Sequence, residues 1–208
     1  MPFRAYDAVS CQFAFHYSFS SEESARNAIS NVASVLSRGG YFFGIIPDAQ
    51  EIRKRLLDPE ECKDGMTLGN QFYKLKMDLP VSTKHSSPFG IRYEFTLQDA
   101  VDTCPEYIVP FSVFRRICEE FGMEHVLEAP LPQFYENFAQ VPEYQQLLHR
   151  MNIMKDDEEL AMCQDERDIA CKPILKWKFY INLLISYSLN LFFICIFSSL
   201  FGLFIQKN

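Results

Sequence analysis

The alternation of apolar and polar positions divides most of this chain into short elements. Tyr6 to Cys11 is a run of apolar and small residues, read as a buried strand covered on both faces. A helix is expected next. Ser20 and Glu23 have capping-box spacing, Ala25, Ala28, Ile29, Val32 and Leu36 fall on one face, and Gly39-Gly40 ends it. Tyr41 to Ile46 ("YFFGII") reads as a second buried strand, closed by Pro47-Asp48. Strand, helix and strand with short connections form the unit that builds a parallel sheet.

Further along, the pattern predicts a helix at about Gln50 to Leu57 and a polar loop through Gly69. Strands follow at Gln71–Met77 and Ile91–Leu97. In the second of these, Ile91, Tyr93 and Phe95 alternate with Arg92, Glu94 and Thr96, so one face is wet. Phe114, Ile117, Cys118 and Phe121 form a helical stripe, and "MEHVLEA" reads as a strand. Two helical pieces follow, about Gln133–Phe138 and Pro142–Met151. Asp156 to Asp168 is acidic and weakly patterned, as expected of a linker or surface segment.

Composition narrows the functional classes. With 208 residues, 48% hydrophobic and 23% charged, the chain can build one domain with a sizeable core. A net charge of -7 argues against sequence-blind wrapping of nucleic acid, yet permits recognition of one nucleotide in a pocket. Seven cysteines, an odd count without a C-x-x-C pair, read as reduced thiols of an intracellular compartment. The four histidines stand far apart without H-E-x-x-H, so no metal site is expected. "MPFRAYD" shows no signal-peptide pattern, and no internal repeat is visible.

The candidate chemistry lies just past the first strand. In an open α/β sheet, ligands sit outside the carboxyl ends of the strands, where Gln12, His16 and Tyr17 fall. A plainer account makes His16 and Tyr17 satisfied side chains of a loop packing on the next helix, and position alone does not decide. Phe13 and Phe15 are read as core rather than as a base-stacking platform. Arg53, Lys54 and Arg55 are read as a solvated helix face, with RNA phosphates as the alternative. Glu106, taken alone, is an ordinary solvent-facing loop carboxylate.

The wording of three segments changes this. "SCQFAFHYSF", "GGYFFGIIPDAQEIRKRL" and "SSPFGIRYEFTLQDAVDTCPEYIVPFSVF", in that order, resemble successive blocks of the eukaryotic mRNA cap guanine-N7 methyltransferase family. The resemblance runs from about Tyr6 to Met151. It implies an α/β fold containing the C-terminal part of a class I S-adenosylmethionine-dependent methyltransferase (Rossmann-like) sheet. It also implies methyl transfer from S-adenosylmethionine to N7 of the GpppN cap of nascent mRNA, in the nucleus. Gln12 and Tyr17 match family positions lining the S-adenosylmethionine site. His16 matches a position that contacts the cap guanine, and Glu106, in "PEYIVP", matches the guanine-binding glutamate. No catalytic acid, base or nucleophile is implied, and Cys11 is read as a packing residue.

The sequence also departs from the family. The resemblance begins at the family's fourth sheet strand, with no counterpart to its first strand or "D-x-G-C-G-x-G" turn, so weak or absent activity of this chain is the expectation. No match to the family's closing "EWEAA-Y-LYL-F" segment is evident after Met151, and Trp177 to Tyr180 is not assigned to it. The expected organisation is therefore 1–151 as the methyltransferase part, 152–178 as an acidic linker or divergent segment, and 179–205 as an uncharged hydrophobic tail. Three accounts of the tail are open: a membrane anchor, a buried strand or helix replacing a sheet edge, and a translated non-coding stretch, the last preferred. The competing functional class is a non-enzymatic cap-binding or membrane-tethered fragment. Other capping or transcription components are the further partners the resemblance suggests.

Overall fold

The computed structural model describes residues 5–138, 141–150 and 175–182. Two four-stranded sheets organise them. The first has strand order β1-β2-β8-β7, from Tyr6–Gln12, Leu36–Pro47, Leu175–Asn182 and Met123–Pro130. The second has the order β3-β4-β5-β6, from Thr67–Gly69, Tyr73–Met77, Arg92–Leu97 and Val101–Tyr107, and is antiparallel throughout.

In the first sheet β1 and β2 are parallel, with Cys11 opposite Gly44, and the helix α1 (Glu22–Val35) makes the crossover. Gly44 is required there, because a Cβ would sit 2.0 Å from the Cys11 carbonyl oxygen. β8 runs antiparallel to both β2 and β7, so this sheet is mixed. The β1–α1–β2 unit thus forms the expected parallel pair.

Several local expectations are corrected. β1 is largely exposed rather than covered on both faces, because it is an edge strand paired with β2 alone among the described residues; Tyr6 is 58% exposed. The cap of α1 is Ser21, whose hydroxyl accepts from the Ser24 N–H, one residue later than the Ser20/Glu23 box. A 3-10 helix at Phe15–Ser20 uses up Ser20. Gly39-Gly40 does not stop α1, which ends at Val35; both glycines lie inside β2, where the register with β1 shifts. Gly39 has φ +79°, a left-handed conformation that the irregularity requires and a side chain would resist. The loop through Gly69 contains the short strand β3, and Glu106 lies on β6 rather than in a loop.

Two apolar clusters support these sheets. One packs α1, the 3-10 helix and α3 (Phe111–Glu120) on the first sheet, through Phe15, Phe19, Ile29, Phe42, Phe114 and Ile117. The stripe on α3 is the one read from the sequence, and Phe15 is core as expected. The other cluster sets α2 (Ala49–Leu57) on the second sheet, with Ile52 and Leu56 against Leu75, Met77 and Tyr93. Asp48 caps α2 by accepting from the Gln50 N–H.

Within α2 the three basic residues part company. Arg55 is buried, bonded to Glu61 and to the Tyr73 hydroxyl, so it is no part of a solvated face. Lys54 is exposed beside Glu51, and Arg53 is exposed.

The helices α4 (Leu131–Phe138) and α5 (Pro142–Arg150) follow β7 as anticipated. The acidic stretch 156–168 and tail residues 183–205 lie outside the described residues. β8 crosses the boundary drawn at 178/179, taking residues from both the segment read as a linker and the one read as a tail. Among the described residues no helix is long and apolar enough to cross a membrane.

Candidate guanine and cofactor site

β5 and β6 pair so that Tyr93 stands directly opposite Glu106. Both are buried, at 0% and 7% exposure, so a carboxylate is set inside the protein and must be met by donors. The Tyr93 hydroxyl donates to Glu106 Oε2 at 2.6 Å, and the Tyr17 hydroxyl donates to Oε1 at 3.2 Å. His16, 2% exposed, brings Nε2 to 3.3 Å from the same Oε1, without hydrogen-bond alignment. Its Nδ1 is also buried and lacks a hydrogen-bond partner among the described residues.

The 3-10 helix delivers His16 and Tyr17. Phe13, at the end of β1, has φ +52°, a strained conformation for a bulky residue, held by its N–H donating to the Ile45 carbonyl. The chain there leaves the sheet and turns its next residues toward β6. The His16 and Tyr17 rings lie 4.3 Å apart at 42°, and Tyr17 remains 40% exposed. The Tyr17 hydroxyl also lies 3.5 Å from Cys104 Sγ. Cys104 follows Thr103, whose φ of +41° marks the irregularity in the β5–β6 register.

The electrostatics follow from this cage. Burial works to raise the Glu106 pKa, but the close approach of His16, then the Tyr93 and Tyr17 hydroxyls, outweigh it and hold the carboxyl below its ordinary value. Burial, and then the Glu106 charge, push Tyr93 well above the ordinary tyrosine value. Tyr17 is raised by burial, by its Cys104 contact and by Glu106. Both phenols therefore stay protonated donors, and Glu106 stays an ionised acceptor at neutral pH. A carboxylate has about four acceptor positions, so the two hydroxyls leave about two unused.

Three of the four residues singled out from the sequence thus converge: His16, Tyr17 and Glu106. Gln12 stands apart at the end of β1, its amide donating to the Ser10 hydroxyl at 2.9 Å. Its Oε1 is buried without a hydrogen-bond partner among the described residues. Burial raises the thiol of neighbouring Cys11, consistent with packing rather than nucleophilic chemistry. Tyr93 and Cys104 were not singled out. The apolar alternation placed Tyr93 on the inner face of its strand, but its pairing with Glu106 is a register that sequence spacing does not report.

The profile of the mRNA (guanine-N(7))-methyltransferase domain matches residues 2–179. The chain belongs to that family. Among its relatives, mRNA cap guanine-N(7) methyltransferase 1 of Oryza sativa subsp. japonica is 41% identical over 170 residues, covering 79% of this chain and 45% of that protein. The protein of the same name from Arabidopsis thaliana is 40% identical over 170 residues, with the same coverages. The mRNA cap guanine-N(7) methyltransferase of Saccharomyces cerevisiae is 35% identical over 171 residues, 79% of this chain and 39% of that protein. The chain thus spans less than half the length of these relatives.

The cap methyltransferase match corrects the sequence reading at its far end. It continues into β8, to residue 179, whereas the resemblance read from the sequence ends at about Met151. Strand β8 had been missed because its place is fixed by pairing with β2 and β7, not by its own pattern. The described residues form an α/β fold with the parallel β1–α1–β2 unit that the resemblance led one to expect.

Tyr93 offers a direct test of the cage. Were guanine to dock on Glu106, it would require the ionised carboxylate, so cap affinity would be full at neutral pH and lost as pH falls through the Glu106 pKa. Tyr93→Phe removes one donor to the charge, which raises the pKa, so the loss must begin at higher pH. A charge-assisted hydrogen bond is worth about 1.5–3 kcal/mol, equivalent to roughly one to two pH units. Cap affinity titrated from neutral pH to well below the ordinary carboxylate range is expected to show the acid limb displaced upward in the variant. An unmoved limb would mean that Tyr93 does not tune the carboxylate.

Proposed function

We propose that this protein methylates N7 of the guanosine cap on nascent mRNA, in the nucleus, with S-adenosylmethionine as donor. The observation carrying this reading is the buried, ionised Glu106 caged by Tyr93, Tyr17 and His16 at the mouth of the strand–helix–strand unit. Guanine presents N1–H and N2–H₂ on one edge, and an acceptor-only carboxylate with unused lone pairs matches both. His16 stands beside that carboxylate to orient the base.

When bound, S-adenosylmethionine supplies a methyl group carried on a sulfonium. Gln12, with its orphaned buried Oε1, is suited to accept a hydrogen bond from the cofactor. Tyr17 is suited to line the cofactor side with its exposed ring, while its hydroxyl holds Glu106. N7 already owns the lone pair it uses and loses no proton, so the chain needs no general base. Methylation leaves the purine cationic, so the fixed charge of Glu106 favours the transition state more than the substrate. The rest of the task is alignment. Other capping components are the partners that fit this role.

The test is incubation of the full chain with labelled S-adenosylmethionine and GpppA or capped RNA, alongside direct binding of GpppA. Label on N7 of the guanine is the expected result. Cap binding without transfer would reassign the chain to a non-enzymatic cap-binding role, and absence of both would sink the reading.

A further inference from the structure

A second concave surface adjoins the guanine site. A groove of about 990 Å³ runs between α2, the 81–85 loop and the start of α3. Its walls include four full cations, Arg53, Lys84, Arg115 and Arg116, against two carboxylates, Glu119 and Glu128. That local excess is opposite to the whole chain, where acids outnumber bases 27 to 20. Arg115 lies 2.8 Å from Glu119 and Arg116 4.0 Å from Glu120. Arg53 and Lys84 are exposed and have no carboxylate partner among the described residues.

The groove lies along the chain from the cage around Glu106. Its floor includes Ile91 and Ile108, each two residues from Tyr93 and Glu106, and the Ile108 N–H donates to the Ile91 carbonyl. At about 3.3 Å per residue, the groove therefore begins about 7 Å along the same strand pair. A polyanion held at the guanine site by its terminal base would have its next phosphates over this surface.

Resting on the guanine reading, we infer that this groove holds the RNA directly downstream of the cap, with Arg53 and Lys84 on its phosphates and bases over the apolar floor. Of the three basic residues on α2, only Arg53 combines exposure with a place on the groove. The assignment accommodates the negative net charge, because it asks for a short local track rather than wrapping. It predicts that affinity grows with RNA length and that the growth is salt-dependent.

The experiment measures binding of the full chain, across a salt series, to the GpppG dinucleotide, a capped ten-nucleotide RNA, the same RNA uncapped, and a polyglutamate peptide. Wild type, Arg53→Glu/Lys84→Glu and Glu106→Gln are compared. Both reversed positions are exposed, so thermal unfolding should be unchanged and verifies folding. Extension from dinucleotide to decamer is expected to tighten binding about tenfold at low salt, and the double variant to abolish that gain. Dinucleotide affinity should stay within about twofold, and the salt slope should flatten by about 1.4, for two contacts at roughly 0.7 each.

A length gain that survives the double variant, or no gain in wild type, overturns the groove assignment. Tighter binding of polyglutamate than of RNA, lost in the same variant, overturns it in favour of an acidic protein partner. Failure of the guanine reading looks different. Capped and uncapped decamers would then bind alike and ignore Glu106→Gln, while both still lose affinity in the double variant.

Discussion

Glu106→Gln is expected to lower cap affinity and methyl transfer by roughly 10²–10³-fold while leaving the fold intact. The substitution keeps shape and volume but replaces an acceptor-only group with one that presents two N–H donors. Those donors would face the guanine N1–H and N2–H₂, and also the Tyr93 hydroxyl that now donates at 2.6 Å. Two charge-assisted hydrogen bonds at about 1.5–3 kcal/mol each, partly retained by the amide oxygen, give about 3–4 kcal/mol, and each 1.4 kcal/mol is about tenfold.

A second readout separates charge from shape. Methylated guanine is cationic, so wild type should prefer the N7-methylated cap over GpppA, and the variant should lose that preference. Equal affinity of wild type and variant for both caps would remove Glu106 from guanine recognition altogether.

The stability consequence of the same carboxyl has the opposite pH sense to a histidine's. A folded-state pKa held below the ordinary carboxylate value contributes stability above the unfolded pKa, and that contribution is lost as pH falls through the folded value. Burial partly cancels the effect, so it reports on the cage more than on global stability.

What could be read from the chain beforehand divides along physical lines. Elements whose signals are local were visible: the apolar stripe of α1, the alternation around Tyr93, the stripe of α3. Features set by small competing terms moved, as when the 3-10 helix took Ser20 and left Ser21 as the cap. Features set by non-local pairing were invisible. Trp177 to Tyr180 is a poor fit to the family's closing segment by its wording, because its place lies in the ladder with Phe42 to Ile45 on one side and His125 to Ala129 on the other. The same holds for the site. Glu106 was found because its motif resembles a family, but Tyr93 acts on it across strands, through a register no spacing encodes.

Phe114→Ala is expected to cost about 3–5 kcal/mol of stability, the range for truncating a large buried aromatic. Phe114 is 3% exposed, and its ring centroid lies 5.1 Å from Phe15, 5.9 Å from Phe19, 6.3 Å from Phe111 and 6.5 Å from Phe42. It therefore joins α3, the 3-10 helix and β2 in one contact set. Phe15 is the residue before His16, so the cavity opens directly behind the pair that contacts Glu106. Chemical unfolding should show a lower midpoint with an unchanged slope, which marks lost stability rather than a changed unfolded state. Cap affinity, measured where the variant is still folded, should fall as well, because Phe15, which precedes His16 on the 3-10 helix, loses the ring it packs on. Phe114→Leu, which refills most of the volume, should recover the larger part of both losses. Full cap affinity in a strongly destabilised Phe114→Ala would show that Phe13 and the β1–β2 ladder hold the two site residues without help from the core.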